Sequence, residues 1–434
     1  MKRHQLYAYD AKSEAAILFL NNDPIDRIQR GVVQQAKVWI DAGLKVFITT
    51  SSLKIDKDTI KFESLSASNF IQINFDKKYP RAQFNFVSFF MGILYVGIDL
   101  LLILKGTLRL NSRFAFKQWI IDTFSVPNTF STQTATDIAE VIKQIEPKII
   151  VSSNSLLTEI IRNETFIGKV VIWHAAEFAS ANQSRGSRIV RGKQIAERKL
   201  SKLAQTIIVD NQFLVQAISK HFKISPEKFL TVSNAPSCTQ DVYPPVSLRF
   251  KFGIDESSIV IFFYGHLIHN RYLIELLEFH SKFAPTNVHI VFLGSGPLEP
   301  EIIRISSLDN RIHHENWFDN ATLCAYIRES DYVFIVYDHR SKNSRIGGPN
   351  KLYDAIANQV PIIANLNCDY ISSIVRIAHC GILINPLIQD NWQTLFSKLE
   401  RRLGPSYERP DSLLWDSQSE KLSRLATQIH NLNL

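Results

Sequence analysis

The sequence predicts an α/β chain of two domains, each a parallel sheet flanked by helices. Short β-branched apolar runs alternate with helical stretches through both halves, and a Pro-rich break, VYPPVSL (242–248), separates one series of runs from the next. Size agrees, because 434 residues exceed one ordinary core.

In the first half, AAILFL (15–20) leads through a polar turn at Asp23 and Pro24 to a helical stretch over 28–42, then Gly43 and KVFITT (45–50). The same alternation returns at PKIIVSS (147–153), KVVIWHA (169–175) and QTIIVDN (205–211). Runs this short and this uniformly apolar are strands covered on both faces. The second series is SIVIFFYG (258–265), VHIVFLGSG (288–296), DYVFIVYD (331–338) and VPIIAN (360–365). The expected domains are therefore 1–241 and 249–410. A helix within 411–434 closes the fold, since Leu422, Leu425, Ile429 and Leu432 fall on one face.

Apolar residues at 45% and charged residues at 21% exclude a disordered or fibrous chain. The net charge of +8 is spread too thinly to indicate nucleic acid, but it suits phosphate ligands or anionic lipid. Cys238, Cys324, Cys368 and Cys380 form no CxxC pair and no zinc-spaced set, so reduced thiols and no metal are expected. Asp10 and Glu14 interrupt the apolar stretch a signal peptide needs, which points to the cytoplasm.

The segment FVSFFMGILYVGIDLLLIL (86–104) approaches the length of a membrane span, but Asp99 and the domain continuing on both sides disfavour one. A core helix and a helix lying in the membrane interface both fit it. Lys77, Lys78 and Arg81 precede it, and Lys105, Arg109, Arg113 and Lys117 follow, the flanks that an anionic bilayer attracts.

The densest chemistry lies in VYDHRSKNSRIGGPNKLYDAIANQVPIIAN (336–365). A strand gives way to a loop with Arg340, Lys342 and Arg345, and then Gly347-Gly348-Pro349 opens a helix, with Pro expected at its first position. The free N–H groups near Asn350 and Lys351, with the helix dipole, make an anion site that fits a diphosphate. Asp354, one turn further in, is placed for a ribose diol. By itself this is also an ordinary loop–helix junction, with Asp354 complementing the dipole. The stretch YGHLIHNRYLIELLEF (264–279) adds weight, because it brings His266 and Arg271 out at the carboxyl edge of the same sheet, where such folds bind ligands. GSG at 294–296 lacks the third Gly of a dinucleotide fingerprint and reads as a tight turn near the nucleotide.

Taken in order, these residues resemble the retaining glycosyltransferases of family 4, whose two Rossmann-like domains face each other in the GT-B fold. In that family a Gly-Arg-Leu run with a later Lys grips the donor diphosphate; Gly265-His266-Leu267 stands in its place, with Arg271 at the Lys position. The family's Pro-Asn-Lys-Leu-Phe-Glu helix start matches Pro349-Asn350-Lys351-Leu352-Tyr353-Asp354, with Asp354 at the ribose ligand. The stretches 196–222 and 229–236 resemble its exit from the first domain, and KVVIWHAAEF (169–178) its acidic strand end facing the sugar. His174 and Glu177 are accordingly candidates for the sugar or acceptor.

The chain also departs from the pattern. His266 replaces an Arg, the family's first acidic residue is absent near Ile346, and Gln359 stands where a helix-ending Gly is usual. A positive φ at Gln359 would cost about 1 kcal/mol.

The resemblance implies transfer of a sugar from a UDP- or GDP-type donor to a saccharide or lipid-linked saccharide, without metal or nucleic acid. The leaving phosphate itself helps the acceptor lose its proton, so charge stabilisation by Arg271, Lys351 and the helix N-terminus carries catalysis. A nucleotide-sugar epimerase on the same fold and a non-catalytic nucleotide-sugar-binding relative remain the alternatives.

Overall fold

The computed structural model describes residues 16–20, 30–51, 70–75, 132–152, 163–181, 188–236, 247–316, 320–402 and 407–431. The segment 86–104 and its basic flanks lie outside them. Among the described residues, no helix is long and apolar enough to cross a membrane. The chain divides into two compact units, one of residues 1–209, 215–231 and 419–434, the other of residues 210–214 and 232–418.

The first unit holds a seven-stranded parallel sheet of order β3-β2-β1-β4-β5-β6-β7. Its strands are β1 (Ala16–Leu20), β2 (Lys45–Ser51), β3 (Phe70–Phe75), β4 (Ile149–Ser152), β5 (Val170–Ala175), β6 (Thr206–Val209) and β7 (Phe229–Thr231). Ile17 to Leu20 of β1 are fully buried between β2 and β4, as the unalternating apolar run requires. Helix α1 (Arg30–Asp41) packs Trp39 edge-on against Phe19. Helices α2 (Thr132–Ile145), α3 (Arg188–Leu203) and α4 (Gln212–Phe222) supply further crossovers. Glu197, the single acidic residue of α3, is buried and accepts hydrogen bonds from the N–H groups of Ala179 and Ser180 and from Ser180 Oγ.

The second unit holds a six-stranded parallel sheet of order β10-β9-β8-β11-β12-β13. These strands are β8 (Ile259–Tyr264), β9 (Val288–Leu293), β10 (Ile312–Glu315), β11 (Tyr332–Ile335), β12 (Ile362–Asn365) and β13 (Gly381–Ile384). Successive residues of β8 face opposite sides. Val260, Phe262 and Tyr264 enter one core layer with Val333, Ile335 and Leu352, while Ile259, Ile261 and Phe263 enter the other with Phe334 and Trp392. Its helices are α5 (Leu248–Phe252), α6 (Leu273–Phe283), α7 (Glu299–Ser306), α8 (Asn320–Glu329), α9 (Lys342–Ile346), α10 (Asn350–Ala357), α11 (Asp369–Ile377) and α12 (Gln389–Ser397). The final helix, α13 (Trp415–Asn431), buries Leu422, Leu425 and Ile429.

Two expectations change. Cys324 is disulfide-bonded rather than reduced, while Cys368 and Cys380 are free and buried. Pro349 is the N-cap of α10, and Asn350 takes the first helical position. Gln359 does have positive φ, at 53°, and its side chain donates to the Tyr407 carbonyl.

At the foot of β11, Asp331 is fully buried. Its carboxylate accepts from the N–H groups of Val260 and Arg402 and from the guanidiniums of Arg249 (2.9 Å) and Arg401 (2.7 Å). One side chain thereby ties β8, α5 and the segment after α12 to the sheet. Asp331→Ala leaves the buried Arg249 guanidinium without its close carboxylate partner and is expected to cost about 3–5 kcal/mol. Urea denaturation of the two proteins measures this.

Candidate functional site

The order of the second sheet reverses between β8 and β11, and ligands of open α/β sheets bind beyond the carboxyl ends of such a pair. β8 ends at Tyr264 and opens into Gly265-His266-Leu267; β11 ends at Ile335 and opens into Val336, Tyr337 and the loop to α9. The chain then returns through Gly347 and Gly348 to start α10. Gly348 has no room for a side chain, since a Cβ would lie 2.1 Å from the Tyr353 hydroxyl. Gly294 is similarly fixed: its φ is +134°, and a Cβ would lie 2.2 Å from the Gly265 carbonyl oxygen. The turn 294–296 therefore lies directly against the loop after β8, with Leu267 N–H donating to the Ser295 carbonyl.

Lys351, in the first turn of α10, is buried with its Nζ 3.7 Å from the centre of the Phe263 ring. That ammonium also lies within cation–π reach of Tyr264 and Tyr337, at 5.5 and 5.9 Å. A Cβ on Gly265 would come within 3.2 Å of it. The Arg271 guanidinium stacks on the other partner of this group, 3.6 Å from the Tyr337 ring centre. Burial pushes the Lys351 ammonium well below the ordinary lysine value, the Arg271 charge adds to the fall, and Asp354 opposes it. Burial also lowers Arg271. Among the described residues neither cation meets a carboxylate at ion-pair distance.

The remaining cations of this edge differ. Arg340 holds Asp338 through both carboxylate oxygens, and Arg345 pairs with Asp369 at 2.6 Å. These exposed pairs neutralise their own charges at the rim. Lys351 and Arg271 share the Tyr337 ring, and Lys351 belongs to the first turn of α10, where the N–H groups of Asn350 and Lys351 have no carbonyl one turn behind them. The arrangement can take an anion with at least two negative charges.

The other predicted residues are placed as follows. Asn350 is exposed, and its Oδ1 accepts from Asn234. His266 is exposed, with Nδ1 3.0 Å from the Ser295 carbonyl oxygen. Asp354 is 1% exposed and accepts a 2.6 Å hydrogen bond from the Tyr264 hydroxyl. It therefore sits inside the unit, against the side chain of Tyr264. In the first unit, His174 is buried near the end of β5; its Nδ1 has no hydrogen-bond partner among the described residues, and burial pulls its pKa down to about 4. Glu177 is exposed and paired with Lys193 at 3.1 Å.

Tyr337, Phe263 and Tyr264, the aromatic bed of the two cations, are absent from the sequence-predicted set. In sequence they are indistinguishable from other aromatics at strand ends. Only their adjacency to Gly265 and to the basic loop could have marked them.

No family model matches the chain, and no curated protein matches it. Among solved structures, sucrose-phosphate synthase from Thermosynechococcus elongatus superposes with a TM-score of 0.67 at 12% identity, over 96% of this chain and 100% of that one. The chain has the GT-B fold. WaaG, a glycosyltransferase involved in lipopolysaccharide biosynthesis, shares this GT-B architecture with a TM-score of 0.58 at 15% identity, over 95% of each chain. HepE from Anabaena, in complex with UDP and glucose, gives 0.58 at 12%, over 96% of this chain and 97% of that one.

Within the GT-B frame, Lys351 makes a prediction about the empty protein. Its pKa is lower folded than unfolded, so the unfolded chain binds more protons between the two values. Stability should therefore rise with pH across that window, up to the ordinary lysine value of 10.5, and the penalty is fully present below the folded pKa. Lys351→Met should remove this rise and stabilise the unliganded protein at neutral pH by about 0.5–2 kcal/mol. Thermal melts of both proteins from neutral to alkaline pH measure both effects.

Proposed function

We propose that the protein is a retaining glycosyltransferase, moving a hexose-type sugar from a UDP- or GDP-type nucleotide sugar to a saccharide or lipid-linked saccharide acceptor. The observation that carries this reading is the pair of desolvated cations, Lys351 and Arg271, gathered without carboxylates at the switch point of a GT-B domain. A nucleoside diphosphate supplies the anion they lack. HepE, of the same fold, is known with UDP and glucose.

Each group then has a task. The N–H groups of Asn350 and Lys351 hold the phosphates at the start of α10. Gly265 and Gly348 let the ligand approach the backbone. Lys351 and Arg271 offset the charge that grows on the diphosphate as the glycosidic bond breaks, in surroundings that exclude water and so strengthen the interaction. The departing phosphate oxygen takes the acceptor's proton on the same face of the sugar, so no metal and no enzyme nucleophile is required. His174 is the first unit's candidate for a sugar or acceptor hydroxyl, since its buried Nδ1 lacks a partner among the described residues. Glu177 is the weaker candidate there, its charge being met by Lys193.

The test is release of UDP or GDP from a panel of nucleotide sugars when acceptor extract is added. Arg271→Ala should melt near the wild-type temperature yet lose about a hundredfold to a thousandfold in turnover, the usual effect of removing one such donor. Arg271→Lys should recover part of it, a point charge replacing a planar fork. Turnover of the Ala variant within about threefold of wild type would remove Arg271 from the site.

The proposed lipid-linked acceptor places the work at a membrane surface on the cytoplasmic side, with segment 86–104 and its basic flanks as the contact. Flotation with anionic vesicles should show binding that weakens with salt, as attraction is screened beyond about 8 Å at physiological ionic strength. Equal binding to neutral vesicles would count against this contact.

A further inference from the structure

His266 follows Gly265 directly, on the loop that covers the Lys351 ammonium. Its Nδ1 lies 3.0 Å from the carbonyl oxygen of Ser295. A carbonyl only accepts, so Nδ1 carries the proton, and a neutral imidazole has no second one. The exposed Nε2 of neutral His266 is then a lone pair, which repels a phosphate oxygen. The turn cannot easily release this hydrogen bond, because Gly294 and Gly296 lie against the backbone of Gly265 and Leu267, and Leu267 N–H is bonded to the same Ser295 carbonyl. Protonation changes Nε2 from acceptor to donor and adds a charge without moving the ring.

We infer that His266 makes nucleotide-sugar binding proton-linked: the diphosphate is gripped by the His266 imidazolium, and the donor site closes on its ligand by taking up a proton at Nε2. This rests on the proposed donor site. The other charged or titratable groups around the loop are Lys351 beneath it, Arg271 and the exposed His269 further along it, Asp338, whose N–H bonds the Asn270 carbonyl, Glu299, whose carboxylate faces Gly296 N–H, and His314 on the Gly294 carbonyl. Lys351 can also gain a proton when an anion arrives, so the experiment has to separate the two.

UDP-glucose and GDP-mannose are the probes, because their diphosphate diesters do not themselves titrate near neutrality. Calorimetry in two buffers of different ionisation heat counts the protons taken up on binding. Wild type should take up protons at pH 8 and bind about tenfold more weakly there than at pH 6. His266→Arg retains Lys351 and any uptake belonging to it, but supplies a permanent charge. It should therefore take up fewer protons at pH 8 and bind there at least as tightly as wild type at pH 6. His266→Gln should bind weakly at both values and show the same reduced uptake as His266→Arg. Equal uptake in wild type and His266→Arg, or equal wild-type affinity at pH 6 and pH 8, overturns the inference while leaving the donor site standing. Failure of both probes to bind at any pH overturns the donor site and the inference with it.

Discussion

The second unit is organised around an ammonium that its own fold does not neutralise. Lys351 is buried at the start of α10, where the positive end of the helix dipole disfavours a cation by about 0.3–1 kcal/mol and burial disfavours it further. Among the described residues no carboxylate lies at ion-pair distance from it. Three aromatic rings partly offset the loss, and Arg271 brings a second positive charge to the same bed. In the empty protein these terms leave the two cations poorly compensated, whereas the helix dipole and both positive charges favour a bound anion. Preorganised charge of this kind needs no rearrangement when the reaction develops negative charge.

Such an arrangement persists only if the frame around it is rigid. The turn 294–296 is locked to the loop after β8 by contacts that leave no space for a Cβ. Asp331 does at the opposite end of the sheet what is withheld at the ligand edge: it surrounds one carboxylate with two guanidiniums and two N–H groups. Arg340 and Arg345, in the same loop as the site, are matched by Asp338 and Asp369. The absence of a counter-ion at Lys351 and Arg271 is thus not a general shortage of acidic side chains at this edge.

The strands were the most legible part of the sequence, because a strand covered on both faces leaves an unbroken apolar run, as β1 and β8 do. The cationic positions were legible for a related reason: polar residues just past such runs have to emerge at the carboxyl edge. Depth was not legible. Asp354 and Lys351 are three residues apart on one short helix, and nothing in the sequence distinguishes a carboxylate turned to solvent from one closed over by Tyr264. The same limit hid Tyr337 and Phe263, whose role depends on which cation lies across the ring. The disulfide of Cys324 had no spacing signal, since the sequence holds no CxxC pair.

The candidate residues of the two units are of different kinds, and the difference suits the proposed chemistry. In the second unit Lys351 and Arg271 are charges, which bind a diphosphate strongly but discriminate poorly among sugars. In the first the candidate is a neutral imidazole nitrogen, His174 Nδ1, buried with no partner among the described residues and held uncharged at neutral pH because burial pulls its pKa down to about 4. Leaving such an atom unpaired costs about 1–3 kcal/mol, which a hydroxyl of the right position would return. A neutral donor or acceptor rewards one hydroxyl geometry and penalises its absence, as a charge cannot. Under the proposed function, affinity would then be set by Lys351 and Arg271, while selection among sugars or acceptors would fall to groups such as His174.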